Sequence, residues 1–352
     1  MAGIVYSKMV GKNDPMYGKI ETPIKMLIEN ESNLCEKERS VTKALYNIEK
    51  SNRFGETILG QSDFDTFQAV SEGQGAPNDN IETTYKKFIE HITFMKEFTI
   101  TAEMVEDAKM GIALEAKSKP KAFIRAYYKT QSKIASMALI NAINGSFTFN
   151  KAVVDLTVGD GLSLFHNAHS YHTEKMQSAK NKTQANRFCA ADMTSSADAF
   201  ETALNYFANR MRNFRDDNGE VMGYTADTII IPGNRPRLEA IAKKVIGTER
   251  AAGSNNNDIN LQYGNWDIVV LNEWTPGDDK FMIMSREANR NLCGNLFFNR
   301  QPLNIVNWVD NHTRNLIWNG RCRFGVGFGT WKHIMLCESG ENVSGCEKVT
   351  LT

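Results

Sequence analysis

Asp63-Phe64-Asp65-Thr66-Phe67-Gln68-Ala69-Val70, then Ser71-Glu72-Gly73-Gln74-Gly75-Ala76-Pro77-Asn78-Asp79-Asn80, then Glu82 to Ile100: this run, with the segment after it to Asn144, decides the fold. It reads as a long hairpin. Asp63–Val70 is the outgoing strand, the Gly/Pro/Asn-rich stretch is the tip, and Glu82–Ile100 contains the return. Along the return, Ile92, Phe94, Phe98 and Ile100 share one face and Thr93, Glu97 and Thr99 the other, the period of a half-buried strand. A polar two-stranded arm cannot bury its own faces and is marginal alone in water. It is therefore expected to lie on a second copy of the chain, with Glu72, Gly73, Gly75, Pro77, Asn78 and Asp79 as the candidate intersubunit contact.

Thr101 caps a short helical turn, Ala102–Ala108, and Pro120 suits the first turn of a long helix to about Ile143. Phe123, Tyr127, Ile134, Ala138 and Asn141 mark its inner face, Gly145 ends it, and its length is on the order of 35 Å. On the N-terminal side, residues 1–30 are punctuated by Gly11, Pro15, Gly18 and Pro23 and read as irregular. An amphipathic helix is expected over roughly 31–50, with Leu34, Val41, Leu45 and Ile48 on one face. After Asn144 the elements are shorter and mixed. Thr194–Asp198 signals a helix start ahead of the stripe Phe200, Leu204, Phe207, Met211 and Phe214. Thr228–Ile231 is a buried strand stopped by Pro232-Gly233, and Arg235–Ile246 is a helix. Trp266–Leu271 and Phe281–Ser285 are strands, divided by a turn at Pro276–Asp279. Asn315–Gly320 and Arg321–Phe328 read as two strands around a tight turn, giving an α+β chain.

The 352 residues carry 41 basic and 41 acidic side chains, which argues against a basic nucleic-acid binder and permits dense self-association. Six cysteines without paired spacing suggest reduced thiols in a cytosolic protein. Met1–Lys8 lacks the apolar core of a signal peptide, and no run approaches the ~20 apolar residues of a membrane span.

The chemistry-bearing candidates are few. His166, His169 and His172 have spacings that could converge on a metal, but Gly159-Asp160-Gly161 before them suggests a loop of hydrogen-bonding histidines. Gly325-Val326-Gly327-Phe328-Gly329 looks like a phosphate loop, yet Thr330–Leu336 after it reads as a strand, where a dinucleotide site needs a helix. Glu106-Asp107 and Asp278-Asp279 are adjacent pairs whose side chains diverge. Cys35 reads as a small apolar filler. No catalytic residue, metal ligand or cofactor is assigned, and the chain is read as not an enzyme.

The order of these segments resembles the major capsid proteins of tailed bacteriophages, the Hong Kong 97-type fold. The second half is similar to the major head subunits of Mu-like prophages. The likeness rests on Glu72–Pro77 followed by Phe98–Ala108, on the helix Pro120–Asn144, on Asp160–His169, and on Thr228–Pro232 leading into Arg237–Ala240. It implies an N-terminal arm (1–58), an extended hairpin loop (59–92) and a peripheral domain with a spine helix (93–144). An axial α/β domain (145–310) and a return to the peripheral domain with a C-terminal tail (311–352) complete it. It further implies self-assembly through pentamers and hexamers into an icosahedral head, formed in the host bacterial cytoplasm and enclosing double-stranded DNA without reading its sequence. It implies a separate scaffolding protein, or assembly without one, with a portal and decoration proteins as further partners and no membrane. Two rivals are an encapsulin-type nanocompartment shell and a metal-dependent hydrolase using His166, His169 and His172.

Overall fold

The computed structural model describes residues 4–11, 13–15, 17–37, 41–62, 64, 66–76, 78, 81–106, 114–171, 183–247, 260–275, 279–341 and 343–351. The chain order opens with β1 (Val5–Lys8), α1 (Gly18–Lys37), α2 (Val41–Leu45), β2 (Asn47–Lys50), β3 (Gly55–Gln61), β4 (Thr83–Glu90) and β5 (Ile92–Ile100). It continues with α3 (Ala102–Glu106), α4 (Leu114–Ile140), β6 (Ser146–Phe149), β7 (Ala152–Asp155), β8 (His169–Ser170), β9 (Thr183–Gln184), β10 (Arg187–Ala190) and α5 (Ala197–Arg212). It closes with β11 (Thr228–Pro232), α6 (Pro236–Ile246), β12 (Asp267–Leu271), β13 (Lys280–Met284), α7 (Arg286–Asn291), β14 (Asn295–Val309), β15 (Leu316–Phe328), β16 (Ile334–Ser339) and β17 (Glu347–Lys348).

Two sheets organise these elements. The first runs β1-β14-β15-β5, with β2 also on β14; the second runs β12-β11-β13-β16-β10-β17. The second is built around β11, whose five residues are all buried, because a strand flanked on both edges and covered on both faces has no solvent side. The stripe expected after the capping signal covers this sheet. Ser196 accepts from the Ala199 N–H at 3.1 Å, and Phe200, Leu204, Phe207 and Met211 are buried, with Phe200 against Phe281 at 5.0 Å. The spine helix α4 lies on the first sheet, where Phe123 packs against Phe98 at 5.2 Å. A Cβ at Gly320 would stand 2.4 Å from the Phe123 ring, so this glycine makes room for the helix.

Several expectations are corrected. Asn319-Gly320 is no turn: 316–328 is one 13-residue strand, and its glycine answers a packing need. The spine helix begins at Leu114, which places Pro120 inside it instead of in its first turn. Residues 18–30, read as irregular, are helical and form the first part of α1. Asp14 accepts from the Tyr17 N–H at 2.7 Å at its start, and Ile24 and Ile28 are wholly buried. The helix expected over 31–50 is the end of α1, then α2, then a strand. Leu34 (57% exposed) and Ile48 (37%) do not share a buried face. The N-terminal segment also pairs with its own subunit, β1 and β2 both lying parallel on β14. Strand β14 runs through Pro302 with register shifts on either side of Gln301, which hid it from periodicity. It falls within residues 145–310 yet pairs in the first sheet, while β16 and β17 from the C-terminal return pair in the second. The reduced-thiol reading fails for one pair: Cys189 and Cys346 form a disulfide, whereas Cys293, Cys322 and Cys337 are free thiols. Their separation of 157 residues hid the pairing. The turn expected at 276–279 lies outside the described residues except for Asp279.

His333 gives the fold a pH dependence. Its ring is fully buried, Nε2–H donates to Asn295 Oδ1 at 2.8 Å, and burial drives its pKa down to about 3. An unfolded histidine titrates near 6.5, so between those values the unfolded chain binds the extra proton. Stability is fully present above pH ~6.5 and falls as pH drops towards 3, by about 1.4 kcal/mol per unit for this group. Urea midpoints measured from pH 6.5 to 4.5 should show that slope, and His333→Gln should remove one proton's share of it.

Candidate assembly interface

The hairpin is present, but its outgoing strand is β3, residues 55–61, instead of Asp63–Val70. Gly55 and Gly60 are the seats of cross-strand rings within it: a Cβ would lie 2.3 Å from Phe88 at Gly55 and 2.2 Å from Tyr85 at Gly60. Pairing closes where Ser62 N–H donates to the Glu82 carbonyl at 2.9 Å and Ser62 Oγ accepts from Glu82 N–H at 2.9 Å.

The base of the hairpin is fastened to its own subunit. The Tyr85 ring lies against Gly159, where a Cβ would meet it at 2.2 Å. Lys87 is buried, forms an ion pair with Asp155 and donates to Thr157 Oγ1 at 2.6 Å. Burial pulls the Asp155 carboxyl up, but hydrogen bonds from Lys87 and Thr157 outweigh it and hold the group low. Gly159→Ala should push the Tyr85 ring off its seat at a cost of about 1–3 kcal/mol. Hydrogen exchange of the 83–90 amides should then accelerate; unchanged protection would contradict this seating.

Beyond Ser62 the character reverses. Among the described residues, 64 and 66–76 form no helix or strand, and all of them are exposed. Ser71 and Gln74 close a turn through a 3.1 Å backbone bond, and Gly73 takes φ +83° at its third position, as a type II turn requires. Glu72, Gly73, Gly75 and Asn78 are all exposed; Pro77 and Asp79 lie outside the described residues. The sequence reading missed the apolar content of this loop. Phe67 is 107% exposed and Phe64 61%, with Val70 and Ile81 also in water. Large rings held outward on an arm mark a contact surface.

The other candidates resolve into structural roles. His169 is wholly buried, stacked on Trp331 at 4.5 Å. Nδ1 meets Asp160 at 2.6 Å, and Nε2 lies 3.2 Å from both the Leu164 carbonyl and Asn186 Oδ1. Both ring nitrogens are thus engaged. His166 Nδ1 accepts from the Ala168 N–H at 3.1 Å, and His172 lies outside the described residues. Among the described residues, no group of three His, Cys, Asp or Glu side chains could hold a metal ion. The run Gly325–Gly329 lies in β15 and just past it, followed by a turn and β16, so no helix N-terminus meets it. A cleft of about 330 Å³ under the hairpin base is lined by Asp217, Cys293 and Lys332. Lys332 and Asp217 pair with each other at 3.4 Å, and burial pushes the Cys293 thiol up, away from a nucleophile.

No protein-family model matches this chain, and no curated protein does. Solved structures do. A structure of Mycobacterium phage Patience matches with a TM-score of 0.50 at 12% identity, covering 98% of this chain and 95% of that one. The capsid of Ralstonia phage GP4 matches with a TM-score of 0.52 at 11% identity over 88% and 93%. The capsid of the cyanophage P-SCSP1u matches with a TM-score of 0.51 at 10% identity over 87% and 89%. This α+β chain, with its extended hairpin, spine helix and two sheets, has the Hong Kong 97-type fold of tailed-phage capsid proteins.

Proposed function

We propose that this chain is the major capsid protein of a tailed bacteriophage, a structural subunit that assembles through pentamers and hexamers into an icosahedral head around double-stranded DNA. The observation that carries the reading is the hairpin loop, which presents Phe64, Phe67 and Val70 to solvent from a fold shared with phage capsids. A loop with this surface is stabilised only when another copy covers it. In this reading the 59–92 hairpin lies across an adjacent subunit, its tip residues Glu72 to Asp79 making the contact. The 145–310 segment gathers around the five- and six-fold axes, and the spine helix with its sheet forms the periphery. A contact between unlike surfaces that closes produces rings, and multivalent closure multiplies weak contacts into a shell. Zero net charge suits a wall that contains phosphates without gripping them. Assembly takes place in the host cytoplasm with a separate scaffolding protein, and the product resides in the virion.

Negative-stain electron microscopy with light scattering on purified protein, with and without a co-expressed scaffold, tests the reading. Shells, tubes or five- and six-fold rings are expected. Monomers under every salt and scaffold condition would reject it.

A further inference from the structure

We propose that the acidic hairpin loop of one copy docks on a cationic cluster of Arg300, Arg323 and His91 at the root of the hairpin of the next copy. This rests on the shell reading and adds the surface that receives the loop. His91 is the single residue between β4 and β5, at the root of the hairpin. Register places it in a row with Gly325 and Phe298. Ile92 pairs with Phe324, Phe298 pairs with Gly325, and a Cβ on Gly325 would lie 3.5 Å from the His91 Cα. The side-chain-free Gly325 lets the ring reach Phe298, 6.0 Å away. Arg323 stands two residues along β15, on the same face, and Arg300 is the extra residue of the bulge between Asn299 and Gln301.

The groups there are left incomplete within one subunit. His91 is 4% exposed; Nδ1 meets the Phe54 carbonyl at 3.0 Å, while Nε2 is buried with no partner. The Nε atoms of Arg300 and Arg323 are likewise buried and, among the described residues, unpartnered. Burial lowers the His91 pKa and both guanidiniums add to that, against the Phe54 carbonyl and Glu56. Two neighbouring guanidiniums whose Nε atoms meet no acceptor among the described residues are costly, and their fork geometry matches a carboxylate. The chain carries the complement. Residues 62–82 contain Asp63, Asp65, Glu72, Asp79 and Glu82 and no Lys, Arg or His, and Glu72 and Glu82 are exposed. Loop and cluster are different surfaces of one chain, so their contact runs head to tail, the kind that forms rings where the rotation closes.

The test is binding of a fluorescein-labelled peptide of residues 62–82 to the full-length protein, dispersed as subunits, followed by anisotropy. Wild type should bind, with affinity falling about tenfold or more in R300E/R323E and again between low and high salt. R300Q/R323Q, with its thermal midpoint recorded, separates lost charge from lost folding and should lose most of the binding. Equal binding by wild type and both folded variants, or none to wild type, would overturn the docking. In parallel, R300E/R323E and E72K/E82K should each form few closed particles, and the quadruple variant should recover them. Normal shells from R300E/R323E would overturn the docking while leaving the shell reading intact. Wild type that never assembles, yet binds the peptide charge-dependently, would reject the shell reading and keep the docking.

Discussion

Replacing residues 63–81 by Asn-Gly is expected to leave a subunit that melts like wild type but makes no closed particles. The replacement joins Ser62 to Glu82, whose mutual hydrogen bonds already close the β3–β4 ladder, so a two-residue turn fits. The Tyr85 and Lys87 anchors sit below that point and are untouched. Among the described residues, the excised loop contributes nothing to the buried core, so the stability change should stay within about 0.5 kcal/mol. Assembly loses far more. Burying Phe64, Phe67 and Val70 on a neighbour is worth about 1.5–3 kcal/mol for each side chain, or on the order of 5 kcal/mol for each arm. Such a deficit, repeated at every subunit, prevents closure. Thermal melts paired with light scattering and negative stain decide it, and shells of normal yield would remove the hairpin from the assembly interface.

The largest expected effect on folding comes from Glu338→Gln. Glu338 is fully buried in β16, where Oε2 accepts from Arg187 Nε at 2.8 Å and Oε1 from Lys280 Nζ at 2.5 Å. The three belong to adjacent strands: β16 lies between β13, which carries Lys280, and β10, which carries Arg187. Neutralising the central carboxylate leaves two largely buried cations facing each other without a counter-charge. Breaking a buried pair from one side costs about 3–5 kcal/mol. The expected loss is therefore of that order in urea titrations, enough to remove most of the stability of a marginal domain. Changing all three at once to Met, Met and Leu should recover much of it, because apolar groups of similar volume need no partner. A near-wild-type midpoint for Glu338→Gln alone would show that water reaches these cations.

What could be read from residues alone was local or ordered. The Ser196 cap and its Phe200–Met211 stripe, the all-buried β11 before Pro232-Gly233, the face of the spine helix and the sequence of segments are short-range patterns. One period or one cap specifies each of them. Their order was enough to indicate the capsid fold. Tertiary structure decided what depends on a distant partner. Gly55, Gly60 and Gly320 look like breaks until Phe88, Tyr85 and Phe123 are seen lying on them. β14 is one strand only because β15, β1 and β2 hold it across Pro302. Cys189 meets Cys346 across 157 residues, and His169 becomes a buried structural ring through Asp160, Asn186 and Trp331. His91, Arg300 and Arg323 are far apart in the chain and become one cluster only through strand register. Sequence patterns report the period and caps of a single segment, whereas a glycine's role, a thiol's partner or an unpaired charge is set by what the fold brings beside it.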